Sequence, residues 1–381
     1  MEQFAKLVET VDSYVWGSFL MFMLIGTGFF LSIRMRLVQA RLFTHAWSLI
    51  TGKWDNPADK GEITHFQALS TALAATIGTG NIAGVATAIS SGGPGAVFWM
   101  WVTALIGMCT KFTCCLLAQK YRNIDSDGEV TGGPMYYLRD GLGKPWLGFL
   151  FATFAFIASF GIGNMVQANS VAGPLHTYLS DAGLVSVASV DHFDWVRFMI
   201  GVVMAIFAGS VILGGIKRIA SFSDKIVPFM ALGYMIGALY ILFVQRDQIV
   251  PALKMIFSSA FGMQEAVGGV LGFSVAQAMR WGIARGLFSN EAGLGSAPIA
   301  HAPAKTEEPV REGLVAMLGP FIDTIVVCSM TALVILTSGY LDPEKASLFS
   351  GLKGAALTAA AFKTNVSWGH HVVSFGLVFF A

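Results

Sequence analysis

The strongest constraint on this chain is the recurrence of apolar runs long enough, at roughly 20 residues, to cross the hydrocarbon core of a bilayer as helices. They extend approximately over Tyr14–Ile33, Ile63–Ser91, Ala96–Gln119, Pro145–Tyr178, Trp195–Leu213, Ile226–Val244, Ala266–Ser289, Gly313–Ser338 and Val366–Ala381. Backbone at membrane depth must satisfy its own hydrogen bonds, so the expected fold class is an all-α polytopic membrane protein, with the lipid bilayer as its main partner. Composition agrees: 55% of residues are hydrophobic and 12% charged, about half the charged share of a soluble domain. A net charge of +1, with the basic residues scattered between the apolar runs, leaves no footprint for nucleic acid. Cys109, Cys114, Cys115 and Cys328 all fall in apolar runs without metal-ligand spacing and read as packing thiols. The acidic N-terminus, with Glu2, Glu9 and Asp12, lacks the basic start of a secretory signal, so the first run is read as a spanning helix. The last run stops in mid-stretch at Ala381, which suggests a piece of a longer protein.

Basic residues set the expected orientation. Arg34, Arg36, Arg41, Lys53 and Lys60 follow the first run, and Lys120, Arg122, Arg139 and Lys144, then Lys217, Arg218 and Lys225, then Lys305 and Arg311, occupy alternate later loops. These loops are assigned to the cytoplasm and the N-terminus to the outside.

Within the second run, Thr76-Ile77-Gly78-Thr79-Gly80-Asn81 is poor helix material. Glycine costs about 1 kcal/mol against alanine inside a helix, and freed backbone groups in lipid cost several more unless protein or a water-filled cavity satisfies them. The span should break here, exposing peptide donors and acceptors beside the ends of two half-helices, which suits a carboxylate and a small cation. The competing reading is close packing of small residues such as Gly80 and Gly84. The oxygens of Thr76, Thr79 and Asn81 beside the glycines favour a binding site. The same glycines fit a dinucleotide fingerprint, but helix-forming alanines precede them and the next acid is Asp125, so that reading fails.

A second glycine-broken stretch, Ala266–Gly295, carries Gln277, Arg280 and Arg285. It enters the membrane from the opposite side with four spans between, the relation expected of the first helices of two inverted repeats. Asn164 and Gln167 are uncharged polar groups at membrane depth, available for helix contacts or a ligand. Ser289-Asn290-Glu291 is read chiefly as a helix cap, and His301, His370 and His371 as interfacial. The absence of a nucleophile or metal constellation makes a membrane enzyme the weaker class.

Three stretches in order, Gly92–Gly107 (GGPGAVFWMWVTALIG), Gly132–Gly143 (GGPMYYLRDGLG) and Trp281–Ala302 (WGIARGLFSNEAGLGSAPIAHA), resemble the alanine/glycine:cation symporter family of bacteria and archaea. The resemblance covers the chain from Asp12 onward. It implies a leucine-transporter-type fold, a 5+5 inverted repeat with one extra N-terminal helix: residues 1–62 the extra helix and a cytoplasmic segment, 63–250 the first repeat, and 251–381 a partial second repeat. On that pattern the amides of Thr79 and Gly80 hold the substrate carboxylate. Carbonyls near Ala74 and Ile77, together with Asn81, face a sodium ion, Gln167 contacts the substrate, and Phe288 supplies an aromatic wall. The Ser/Thr and Trp of the family's eighth core helix fall beyond Ala381. The implied protein is a monomeric, multi-pass symporter of a prokaryotic inner membrane that imports alanine or glycine with sodium. A proton-coupled carrier and an amino-acid sensor without flux are the alternatives.

Overall fold

A computed structural model describes residues 17–181, 194–262 and 274–380, together with residues 6, 10 and 11. The start of the Tyr14 run and residues 266–273 of the second broken stretch lie outside the described residues. Among the described residues, five helices are long and apolar enough to cross a membrane: Gly95–Lys120, Pro145–Gly173, Trp195–Ile212, Gly215–Val244 and Pro309–Thr337. The bent pair His65–Thr76 and Gly80–Gly92 counts as a sixth when taken as one span, and shorter apolar helices lie at Phe19–Arg34 and Gly369–Phe380. The chain is a polytopic helical membrane protein, and its exposed apolar surface fits that setting. Along Pro145–Phe160 and Trp195–Ile212, Phe149, Phe154, Phe156, Val203, Ile206 and Phe207 all point outward, as lipid-facing residues do.

The elements that frame the site are α1 (His65–Thr76), α2 (Val85–Gly92), α3 (Gly95–Lys120), α4 (Val275–Asn290), α5 (Ser296–His301) and α6 (Pro309–Ala316). Helix α1 begins at Thr64, whose hydroxyl accepts from Gln67 N at 3.2 Å while Gln67 Oε1 accepts from Thr64 N at 3.1 Å. Helix α4 opens on the same reciprocal device, Ser274 with Gln277, so two otherwise unsatisfied donors are bonded at each start. The break after α1 comes at Ile77, whose backbone is extended at φ −75° and ψ 101°. A π-helical turn, Gly80–Gly84, then leads into α2 at a 52° bend. Carbonyls freed by such a turn need partners, and Thr358 supplies one, its hydroxyl donating to Ile82 O at 2.8 Å. Helix α4 likewise ends abruptly: Glu291 is left-handed at φ 50°, Gly293 and Gly295 follow at φ 95° and 94°, and α5 restarts at Ser296.

Helices α3 and α4 approach at the distance of bare backbone. A Cβ added to Gly282 would sit 2.3 Å from Ala96 O and 2.6 Å from Trp99 Cβ, and one on Gly286 would meet Thr103 Cβ at 3.1 Å. Glycines four apart on one helix face allow this approach.

At the end carrying Lys60, Arg122 and Lys305, two distant segments join. Lys305 N donates to Ile63 O at 2.8 Å and Glu62 N to Pro303 O at 2.8 Å. The Arg122 guanidinium donates to the carbonyls of Ala302, Ala304, Lys60 and Thr306, and Gln119 Nε2 adds His301 O at 2.7 Å. Burial pulls Arg122 below the ordinary guanidinium range, opposed by Glu307, Glu312 and Asp59. Arg122→Ala is expected to cost about 3 kcal/mol, the upper end for a charged donor bonding buried carbonyls. Arg122→Lys should recover only part, because an ammonium lacks the planar fork. Thermal unfolding of the purified variants measures both, and an unchanged transition for Arg122→Ala would show that the junction stands without it.

Candidate functional site

The two interruptions meet in the protein interior. Asn81, at the start of the π-turn, is fully buried, and its amide faces both ways along the break. Its Oδ1 accepts from Gly78 N at 2.7 Å, closing the unwound segment on itself. Its Nδ2 donates to Asp323 Oδ1 at 2.6 Å and to Asp323 O at 3.1 Å, and lies 3.4 Å from Ser289 Oγ and 3.3 Å from Cys328 Sγ. Ser289 comes from the last turn of α4, and its hydroxyl donates to Asp323 Oδ2 at 2.8 Å. Thr324 Oγ1 donates to the same oxygen at 2.7 Å, and Asn290 Nδ2 reaches Thr324 Oγ1 at 3.3 Å. Asp323, Thr324 and Cys328 lie on a second π-helical turn, Phe321–Cys328, in the middle of the Pro309–Thr337 span. A carboxylate at 0% exposure inside a span is costly unless hydrogen-bonded or paired. Here an amide and two hydroxyls surround it. Lys111, on α3, is 2% exposed, and it brings a positive charge near Gly319 on the approach to the Phe321–Cys328 turn.

The residues expected from sequence divide into groups. Ala74, Ile77, Thr79, Gly80 and Asn81 sit together at the break, Ala74 half-buried and the rest buried. A Cβ on Gly80 would stand 3.1 Å from Ser289 Cα, which brings the first break against the end of α4. Phe288 precedes Ser289, its ring 5.8 Å from the Arg285 guanidinium. Gln167 lies in the helix Val166–Asp181, which packs against Gly369–Phe380, and Phe380 O stands 3.4 Å from where a Cβ on Gly78 would be. Gln167 Oε1 is buried with no hydrogen-bond partner among the described residues.

Several expectations are corrected. Ser289 and Asn290 are not merely a cap, since the first bonds Asp323 and the second Thr324; only Asn290 Oδ1, accepting from Ala292 N at 3.1 Å, does capping work. Cys328 is part of the polar cluster instead of a packing thiol, because the π-turn rotates it toward Asn81 and Ser289. His301 is fully buried, its ring donating to Glu312. Arg280 is exposed, and Arg285 lies over the rings of Trp281 and Phe288. Sequence reasoning missed Asp323. The signal was present: it is the sole charged residue of the Gly313–Ser338 run, and a lone acid in such a run marks a functional site by default. Lys111 in Ala96–Gln119 carried the same signal.

Comparison with known proteins gives the family. The sodium:alanine symporter family matches residues 1–381. The chain is 50% identical to the sodium/alanine symporter AgcS of Methanococcus maripaludis, over 99% of this chain and 80% of that protein. It is 38% identical to the putative sodium/proton-dependent alanine carrier protein YrbD of Bacillus subtilis, over 99% of this chain and 75% of that one. Identity to the probable sodium/glutamine symporter GlnT of the same organism is also 38%, over 95% and 70%. Matched along its whole length and identical at half of its aligned positions to such a relative, the chain belongs to the sodium:alanine symporter family.

Proposed function

We propose that the protein is a sodium-coupled symporter that imports alanine or glycine by alternating access across a prokaryotic inner membrane. The observation that carries this reading is the buried Asp323 carboxylate at the meeting of the two interrupted helices, ringed by Asn81, Ser289 and Thr324. Sodium is a hard cation that favours carboxylate, hydroxyl and carbonyl oxygens, and half-helix ends at membrane depth are where carriers place such sites. The ion travels as cargo: Asp323 supplies the charge, the Asn81, Ser289 and Thr324 oxygens supply neutral donors, and the carbonyls of Ala74 and Ile77 complete the shell. The substrate carboxylate docks on the amides of Thr79 and Gly80 at the start of the second half-helix. Gln167, with its unpartnered carbonyl, meets the substrate ammonium, and Phe288 closes one wall.

The fold proposed for this function is the leucine-transporter-type 5+5 inverted repeat, with residues 1–62 preceding the first repeat (63–250) and the second starting at 251. Its support is the matching capping of α1 and α4 and the contact between their broken ends. A potential of 100 mV contributes about 2.3 kcal/mol per charge, so one sodium drives accumulation of about fiftyfold before any concentration gradient.

Radiolabelled alanine uptake into proteoliposomes tests the reading, with an inward sodium gradient set against equal potassium or proton gradients. Uptake is expected only with sodium, and Thr79→Trp, which fills the break, is expected to abolish it while binding-independent expression stays intact. Uptake driven by protons alone would transfer the cluster's role to a proton, and binding without flux would make the protein a sensor. Full uptake by Thr79→Trp would remove the substrate from this break.

A further inference from the structure

A second buried carboxylate lies at the basic end of the fold, and the binding step above makes no use of it. Glu312, in the first turn of α6, is 0% exposed. One of its oxygens accepts from His65 Nδ1, and the other from His301 Nδ1. His65 is the first residue of α1 and His301 the last of α5, so one carboxylate holds three elements at a point. Both rings are buried, and His301 Nε2 has no partner among the described residues, so Glu312 alone orients that ring. Arg122 and Cys115 are within electrostatic reach of Glu312, and Asp55 and Arg311 of His65.

Two properties separate this bridge from ordinary helix packing. Helix α1 is short and ends at the Ile77 break, so it is able to pivot as a unit about the unwound segment. Its foot is tied to the rest of the fold by the His65 bond, by Gln67 Nε2 donating to Asp224 Oδ2 at 2.9 Å, and by the Ile63–Ala304 pairing beside it, which Arg122 braces through Lys60 O. In addition, a hydrogen bond to a buried carboxylate is strong when dry and weak when wet, since water competes for the exposed acceptor. A first entry of water between α1 and α6 therefore removes the share of the resistance to opening that this contact supplies, which gives the contact two states instead of a graded range. We infer that His65, Glu312 and His301 form the latch that keeps the broken helix shut at this end, with all three acting as positioning residues in the transport step. The inference rests on the alternating-access reading, and it adds the place at which the inner path parts.

Cys328 provides a native reporter. It is buried beside Asn81 and Ser289, so a thiol reagent reaches it only through an opened path. The full chain in inside-out vesicles is treated with a small membrane-impermeant methanethiosulfonate, and Cys328 modification is quantified by peptide mass spectrometry, with half-buried Cys114 as the internal reference. Glu312→Gln, His65→Asn and His301→Asn are each expected to accelerate Cys328 modification roughly tenfold to a hundredfold, the range set by losing one charge-assisted bond. Glu312→Asp, which keeps the carboxylate, should fall between them and the unaltered protein. Modification in right-side-out vesicles should not change. Unaltered rates in all three variants, equal acceleration from both faces, or failure of all three to fold would each overturn the latch and leave a static anchor. Because the assay needs no transported substrate, it reads the latch even if alanine or sodium proves to be the wrong cargo.

Discussion

Asp323→Asn is expected to lower sodium-driven alanine uptake by about two orders of magnitude, the roughly 3 kcal/mol of a lost hydrogen-bonding charged group. The substitution keeps the shape of the side chain and removes its charge. It also replaces an acceptor: Oδ2 accepts from Ser289 at 2.8 Å and from Thr324 at 2.7 Å, while Oδ1 faces the Asn81 amide at 2.6 Å. An asparagine can satisfy one side of this set only by turning its own NH2 toward donors on the other. A second, structural cost of about 1–3 kcal/mol for the unpaired buried group is therefore expected, visible as a lowered thermal transition. The two effects separate by measurement. If charge is what matters, sodium ceases to stabilise the variant against heat, whereas in the unaltered protein it raises the transition by mass action. Retained sodium-dependent uptake in Asp323→Asn, at rates near the unaltered protein, would show that the ion is held elsewhere.

The second large effect is expected at the crossing of α3 and α4. Gly282→Leu introduces a branched side chain where even a single carbon would stand 2.3 Å from Ala96 O and 2.6 Å from Trp99 Cβ. Backbone cannot yield as a flexible side-chain tip does, so the helices must separate. Overpacking of this kind costs about 1–3 kcal/mol and sometimes more. Separation also moves Ser289, two turns along α4, away from Asn81 and Asp323. The expected result is a lower thermal transition together with loss of sodium stabilisation, although no side chain of the polar cluster is altered. Gly286→Ala should be milder, since its nearest neighbours, Thr103 Cβ at 3.1 Å and Met100 Cα at 3.3 Å, need to give by only a few tenths of an ångström. A normal transition and normal sodium response in Gly282→Leu would show that the crossing has slack.

The membrane class and the break at Gly78–Asn81 were legible because both depend on local composition: apolar length in one case, glycine beside polar residues in the other. The break indeed falls at Ile77, and the pair of half-helices covers nearly the residues expected. What escaped was long-range. The partner that completes Asn81 is Asp323, and no local pattern links positions on different spans. The π-turns that rotate Asn81 and Asp323 inward are set by tertiary contact. The helices Arg246–Ala260 and Gly354–Asn365 were also not singled out as elements, each being too short or too mixed to stand out as a span. His301 illustrates the same limit, since a histidine near an expected loop gives no hint of a carboxylate from another helix.

The separation of Asn81 and Asp323 by 242 residues has a consequence for biosynthesis. At roughly 5–20 residues per second, about 12 to 50 s pass between synthesis of the broken helix and arrival of the acid that completes it. During that interval the unwound segment and the Asn81 amide lack their main partner. A break of this kind placed alone in lipid is unstable, so the nascent protein is expected to keep this region beside the insertion machinery, or folded against α3, until the Pro309–Thr337 helix enters. The cluster around Asn81 and Asp323 is thus the part of the chain most exposed to quality control while it is being made.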